Sequence, residues 1–157
     1  MADLLLDVAD AIVDAINAHD WGQPVRAERS YADIDAPLEQ LDSLVCDVLV
    51  PQEIDGLELD SSGSDKTTAT YEIALRKRMV AAERDQTAGN WRREDVDRLV
   101  NLALDISRYF NADRFSGIEA AWIDTQVPQI YSRQELRELG QFTAVIELTY
   151  ELHRTLP

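Results

Sequence analysis

Cysteine occurs once in this chain, at Cys46, inside the apolar run from Leu44 to Val50. A lone thiol excludes a disulfide framework, and its setting reads as a small buried hydrophobe. Bases are scarce: 15 Lys and Arg stand against 30 Asp and Glu, a net charge of −15. That balance argues against a basic nucleic-acid-binding face and against docking on anionic membranes. It leaves a highly soluble protein, a partner of basic surfaces, or a wall past which DNA slides without sticking. Glycine numbers six and is scattered, so no glycine-rich phosphate cradle follows a strand. Histidine is limited to His19 and His153, near opposite ends of the chain.

With so few of the reactive residue types, the usual catalytic patterns are missing. There is no His-Glu-x-x-His, no cysteine pair, no EF-hand loop and no Gly-x-Ser-x-Gly elbow. Asp60 and Asp65 around the serines between them read as an ordinary oxygen-rich loop rather than a calcium site. No catalytic, cofactor-binding or metal-binding residue is assigned, and the chain reads as something other than an enzyme. No apolar stretch approaches the roughly 20 residues of a membrane span. The opening Leu4-Leu5-Leu6 lacks a positive start and is interrupted by Asp7, Asp10 and Asp14, unlike a secretory signal. The expectation is a protein that stays inside the cell that makes it, or inside a particle assembled there.

What the chain does have is periodicity. Phe142, Ala144, Ile146, Leu148, Tyr150 and Leu152 fall on every second position, alternating with Thr143, Val145, Glu147, Thr149 and Glu151. This predicts a strand of about twelve residues with one oily face and one mostly wet face. Asp3, Asp7, Asp10 and Asp14 stack on one side of a helix of about fifteen residues, with Leu5, Val8, Ala9, Ile12 and Ile16 opposite. The acidic stripe reads as a solvated face. A second helix is predicted over about Arg92 to Asn111, capped by Asn90, with Val96, Leu99, Val100, Ala103, Ile106 and Phe110 inward.

Strands are predicted at Val25 to Ile34, with Val25, Ala27, Arg29 and Tyr31 on one side, and at Leu44 to Val50. Two more follow at Thr70 to Met79, with Tyr71, Ile73 and Leu75 inward, and at Glu119 to Thr125. Leu38 to Leu41 reads as a short helical turn. Pro128 and Tyr131 are placed in a turn. Ser132 caps a brief helix with Glu135 at capping-box spacing, and Gly140 ends it. The stretches 53–68, a loop or loose hairpin, and 80–90 are expected to be mobile. Trp21, Trp91 and Trp122 read as packing residues rather than a ligand platform. The sum is a single α+β domain: a mostly antiparallel sheet flanked by two main helices plus a short third helix.

Charge divides unevenly along this order. From Ser30 to Asp65 the acids are Asp33, Asp35, Glu39, Asp42, Asp47, Glu53, Asp55, Glu58, Asp60 and Asp65, with no base among them. From Lys66 to Val100 the bases slightly exceed the acids. Copies of such a chain can dock head to tail, the acidic segment of one against Arg76, Arg78 or Arg93 of the next. Leu57 and Leu59 would supply apolar contact.

The order of these elements, with Ala121-Trp122, Pro128, Tyr131-Ser132, Leu136 and the closing strand from Gln141, resembles the small tail-completion proteins of tailed bacteriophages and prophages. Those are tail terminators and related neck proteins. The resemblance implies an α+β subunit whose copies, commonly six, close a ring. Such a ring ends the tail tube, meets the tube protein and the head–tail connector, and lets DNA through without reading its sequence. It implies a place in the virion neck, with assembly in the host cytoplasm, and no cofactor or membrane. Two other classes fit the composition: an acidic module that mimics DNA or sequesters a basic partner, and a small hydrolase.

Overall fold

The computed structural model describes residues 4–31, 43–59, 64–79 and 92–155; side chains at 56–59, 64, 65, 154 and 155 lie outside the description. In chain order the elements are α1 (Leu4–Ala18), β1 (Ala27–Ser30), β2 (Val45–Leu49), β3 (Asp55–Leu59) and β4 (Ser64–Arg78). They continue with α2 (Arg93–Tyr109), β5 (Ala120–Gln129), α3 (Arg133–Glu138) and β6 (Gln141–Thr155). One sheet runs β1-β2-β4-β6-β5, with β3 pairing to β4 on the β2 side. β1 and β2 are parallel and every other pairing is antiparallel. This is the α+β, mostly antiparallel arrangement expected, with two long helices and a short third.

β6 does what its alternation dictates. Phe142, Ala144, Ile146, Leu148 and Tyr150 are fully buried and Leu152 nearly so. They form one core cluster with Val8, Ala9, Ile12 and Ile16 of α1, with Leu99, Ala103 and Ile106 of α2, and with Tyr71, Ile73 and Leu75 of β4. α1 packs on β1, β2 and β6, and α2 on β6 and β5. Both long helices therefore lie on the even-numbered face of β6. The tip of α1 is tied by Trp21, whose indole N–H donates to the Ile16 carbonyl at 2.8 Å, answering one of the helix's orphan acceptors. Gly140, at φ 61°, takes the left-handed conformation that ends α3 and releases β6.

Several expectations shift. The stretch predicted as a loop or loose hairpin carries β3, and β4 starts at Ser64 rather than Thr70. The cause is long-range: β6 runs on to Thr155 and offers ladder partners down to Ser64, so tertiary pairing overrides weak local propensity. β5 extends to Gln129 and includes Pro128, which was expected in a turn. A proline fits there because β5 is an edge strand and a missing N–H facing outward costs no ladder bond. The register of β5 against β6 also slips twice, between Trp122 and Asp124 and between Gln126 and Gln129. At the second slip the Gln129 side-chain amide donates to the Thr143 carbonyl at 2.9 Å.

The first strand is shorter than expected. Asn17 grips Ala27 in both directions, its amide donating to the Ala27 carbonyl at 3.1 Å and its carbonyl accepting from the Ala27 N–H at 2.7 Å. That fixes Ala27 as the inward residue. Arg29 reaches Asp10 of α1 at 3.1 Å, and Tyr31, expected on the same side of the strand as Ala27, is 66% exposed. In α2, Leu102 joins the buried stripe, a position the predicted periodicity omitted. The Asn90 cap, the 38–41 turn and the 80–90 connection lie outside the described residues. No helix among those described is long and apolar enough to cross a membrane.

Candidate functional site

The two histidines and the cysteine are held apart. His19, just past α1, packs with Trp21 at 4.3 Å and Tyr109 at 4.6 Å between ring centroids. His153 lies on β6, its Nε2 2.6 Å from the Glu151 carboxylate, which Lys66 also approaches at 3.7 Å. Cys46 is buried, and burial first, then the Asp47 charge, pushes its thiol up to about 12. The thiolate, the reactive form, is therefore suppressed. Among the described residues no group of three or more His, Cys, Asp or Glu is arranged to hold a metal ion. Asp60 and the side chain of Asp65 lie outside the description.

Two features of the surface stand out. The first is the sheet face turned away from α1 and α2. The β register arranges its side chains in rows. Val45, Arg76 and Thr143 form one row, and Glu28, Asp47, Ala74 and Val145 the next. Leu49, Glu72 and Glu147 follow, then Thr70 and Thr149, whose hydroxyls meet at 3.0 Å. Asp47, Ala74 and Thr143 are buried, although no long helix among the described residues lies over them. Burial, and secondly the Glu28 carboxylate beside it, raises the Asp47 pKa. Glu72 and Glu147 sit directly opposite each other, a like-charge pair that weakens an isolated sheet. The face thus carries Val45 and Val145 among charged neighbours, with its acids at Glu28, Asp47, Glu72 and Glu147.

α3 borders this face. Ser132 accepts from the Glu135 N–H at 3.2 Å, the cap its spacing predicted. Glu135 then lies near Arg76: burial lowers the guanidinium pKa and the Glu135 carboxylate partly restores it. Arg76 and Arg78 point the same way from β4, whereas Arg93 is the first residue of α2 and belongs to another part of the surface. The structure therefore brings together two of the three arginines expected at a subunit contact. The side chains of Leu57 and Leu59, proposed beside them, lie outside the description, although both residues sit on β3.

The second feature lies on the helix side, at the end of the sheet where β2 begins and β4 ends. A groove of about 560 Å³ opens there. Val25, Leu44 and Leu99 make it apolar; Arg26, which also approaches Glu28 at 3.9 Å, Lys77 and Arg98 place three cations around it. Its one acidic lining residue among those described, Asp95, is already paired with Arg92 at 3.0 Å. In a protein of net charge −15 this is a local inversion of sign. Next to it, and sharing Arg98, a groove of about 470 Å³ is lined by Trp21 and by Glu94, Asp97 and Asp105, so acids border the basic patch on that side. Sequence periodicity could not assemble this groove, since its members come from the α1–β1 connection, the approach to β2, the end of β4 and the first turns of α2.

No known family of proteins matches the chain, and no curated protein is detectably similar to it in sequence.

Proposed function

We propose that this chain is a structural subunit of a tailed-phage neck, a tail-terminator-type protein whose copies close a ring between the tail tube and the head connector. The observation that carries the reading is the sheet face that no long helix among the described residues covers, where the half-buried Val45 and Val145 stand beside rows of acids. Apolar side chains on an uncovered face favour contact with another protein surface. Acids facing a passage would keep DNA phosphates from sticking in transit. The order of helices and strands supports the resemblance on which the reading also rests.

The paired carboxylates Glu72 and Glu147 favour a second reading, an acidic module that mimics DNA or sequesters a basic partner. Electron microscopy of the concentrated protein, with mass by light scattering and with isolated tail tubes added, separates the two. Rings, or density added at tube ends, support the terminator. A monomer under all those conditions that binds only basic proteins supports the mimic and overturns the ring. The non-enzymatic part of the proposal fails if a hydrolase screen with added divalent metals finds turnover that is lost on changing His19 or His153.

A further inference from the structure

The chain carries at one end what the basic groove at its other end is shaped to receive. Ile54 is 47% exposed and lies just before β3. Its neighbours Glu53 and Asp55 are also exposed. The result is an apolar knob between two carboxylates. The groove has the complementary pattern, Val25, Leu44 and Leu99 inside and Arg26, Lys77 and Arg98 around them.

Knob and groove of one subunit cannot meet. Asp55 pairs with Thr68 on β4, while Lys77 near the other end of the same strand lines the groove. Nine residues of strand separate Thr68 from Lys77, about 30 Å at the rise of an extended chain. A rigid strand thus holds the two at opposite ends of the sheet.

We propose that Glu53-Ile54-Asp55 of one copy docks into the Arg26–Lys77–Arg98 groove of the next, a head-to-tail contact that repeats around the assembly. It rests on the self-association reading above and adds the surfaces that join. Two different patches meet, so the contact is heterologous and generates a closed ring or an open filament rather than a two-fold dimer. Ile54 leaves water for the apolar floor, while Glu53 and Asp55 face cations that are otherwise surrounded by an acidic surface. The charges select and orient the partner, and the buried isoleucine supplies more of the affinity.

The test uses two variants of exposed residues, Ile54→Ser and Arg98→Glu, checked for unchanged circular dichroism and melting. Alone, each is expected to weaken self-association about 30-fold or more by sedimentation velocity. Mixed, they should form one-to-one dimers and stop, because the intact groove of Ile54→Ser accepts the intact knob of Arg98→Glu and no further partner can add. A measurement independent of lost affinity is cross-linking: Ile54→Cys mixed with Arg26→Cys should join efficiently through a short bismaleimide. Wild type forming rings while both variants do the same, or cross-linking no better than that of Ile54→Cys alone, would overturn the contact and leave the ring reading standing. A wild-type protein that stays monomeric at every concentration would overturn both.

Discussion

Tyr71 and Tyr150 meet edge to face in the core, ring centroids 6.0 Å apart and planes at 77°, and their hydroxyls fare differently. Tyr71 donates to the Leu5 carbonyl at 2.6 Å and so fastens β4 to the first turn of α1. The Tyr150 hydroxyl is buried without a hydrogen-bond partner. Burial, and secondly the nearby Asp113 charge, raises its pKa and keeps it un-ionised. A buried hydroxyl with no partner costs about 1–3 kcal/mol, whereas a made bond contributes about 1 kcal/mol net.

Tyr150→Phe is therefore expected to raise stability by about 1 kcal/mol. Tyr71→Phe, which removes this tie between β4 and α1, should lower it by about 1 kcal/mol. Urea denaturation of the two variants measures both. Equal losses would mean that Tyr150 has a partner.

Ile146→Ala should cost about 2–5 kcal/mol, because the side chain is fully buried between both helices and removing it leaves a cavity. Glu147→Ala, on the other face and opposite Glu72, should fall within about 0.5 kcal/mol of wild type or stabilise slightly. Chemical denaturation of the pair tests which face of β6 is the core.

Cys46 should resist thiol reagents in the folded protein at pH 8, since burial both shields it and lifts its pKa to about 12. Its labelling rate should rise with denaturant in step with unfolding. Rapid labelling under native conditions would place the thiol at the surface.

Asp47 gives a pH signature. Its folded pKa lies above the ordinary value of 3.8, so the folded state holds the proton more tightly than the unfolded chain does. Stability from this group is accordingly gained as pH falls through the folded value toward 3.8, and lost as pH rises through that window. Asp47→Asn should melt higher than wild type at pH 7, with the difference shrinking as the pH is lowered into the window. A difference that grows on acidification would reverse the sign and show Asp47 to be stabilised as the anion.

How much of this could be read in the chain depended on the range of the interaction. α1 and the buried face of β6 follow from local periodicity, and both formed as their residues dictated. Leu102 escaped because the α2 stripe broadens where the helix packs on both β5 and β6, so a position outside the simplest repeat is covered too. The parallel pairing of β1 with β2 leaves no local trace, since strand direction is decided by how the connection crosses. The basic groove was equally hidden: Arg26, Lys77 and Arg98 stand at unremarkable spacings and meet only through topology. The acid–isoleucine–acid triplet was in plain view, but its complement was not.

β5, with its two register slips and Pro128, bears on how such a molecule tolerates its own company. An uninterrupted edge of ten residues would offer a continuous row of donors and acceptors to any neighbouring copy. Here each slip twists that row out of line, and the proline removes a donor. On the other side the sheet ends in two short strands, β1 of four residues and β3 of five. Sheet-to-sheet growth, which needs no side-chain specificity and has no natural end, is discouraged at both margins. Copies crowded together are left to recognise one another through side chains, where geometry can set a finite number of members.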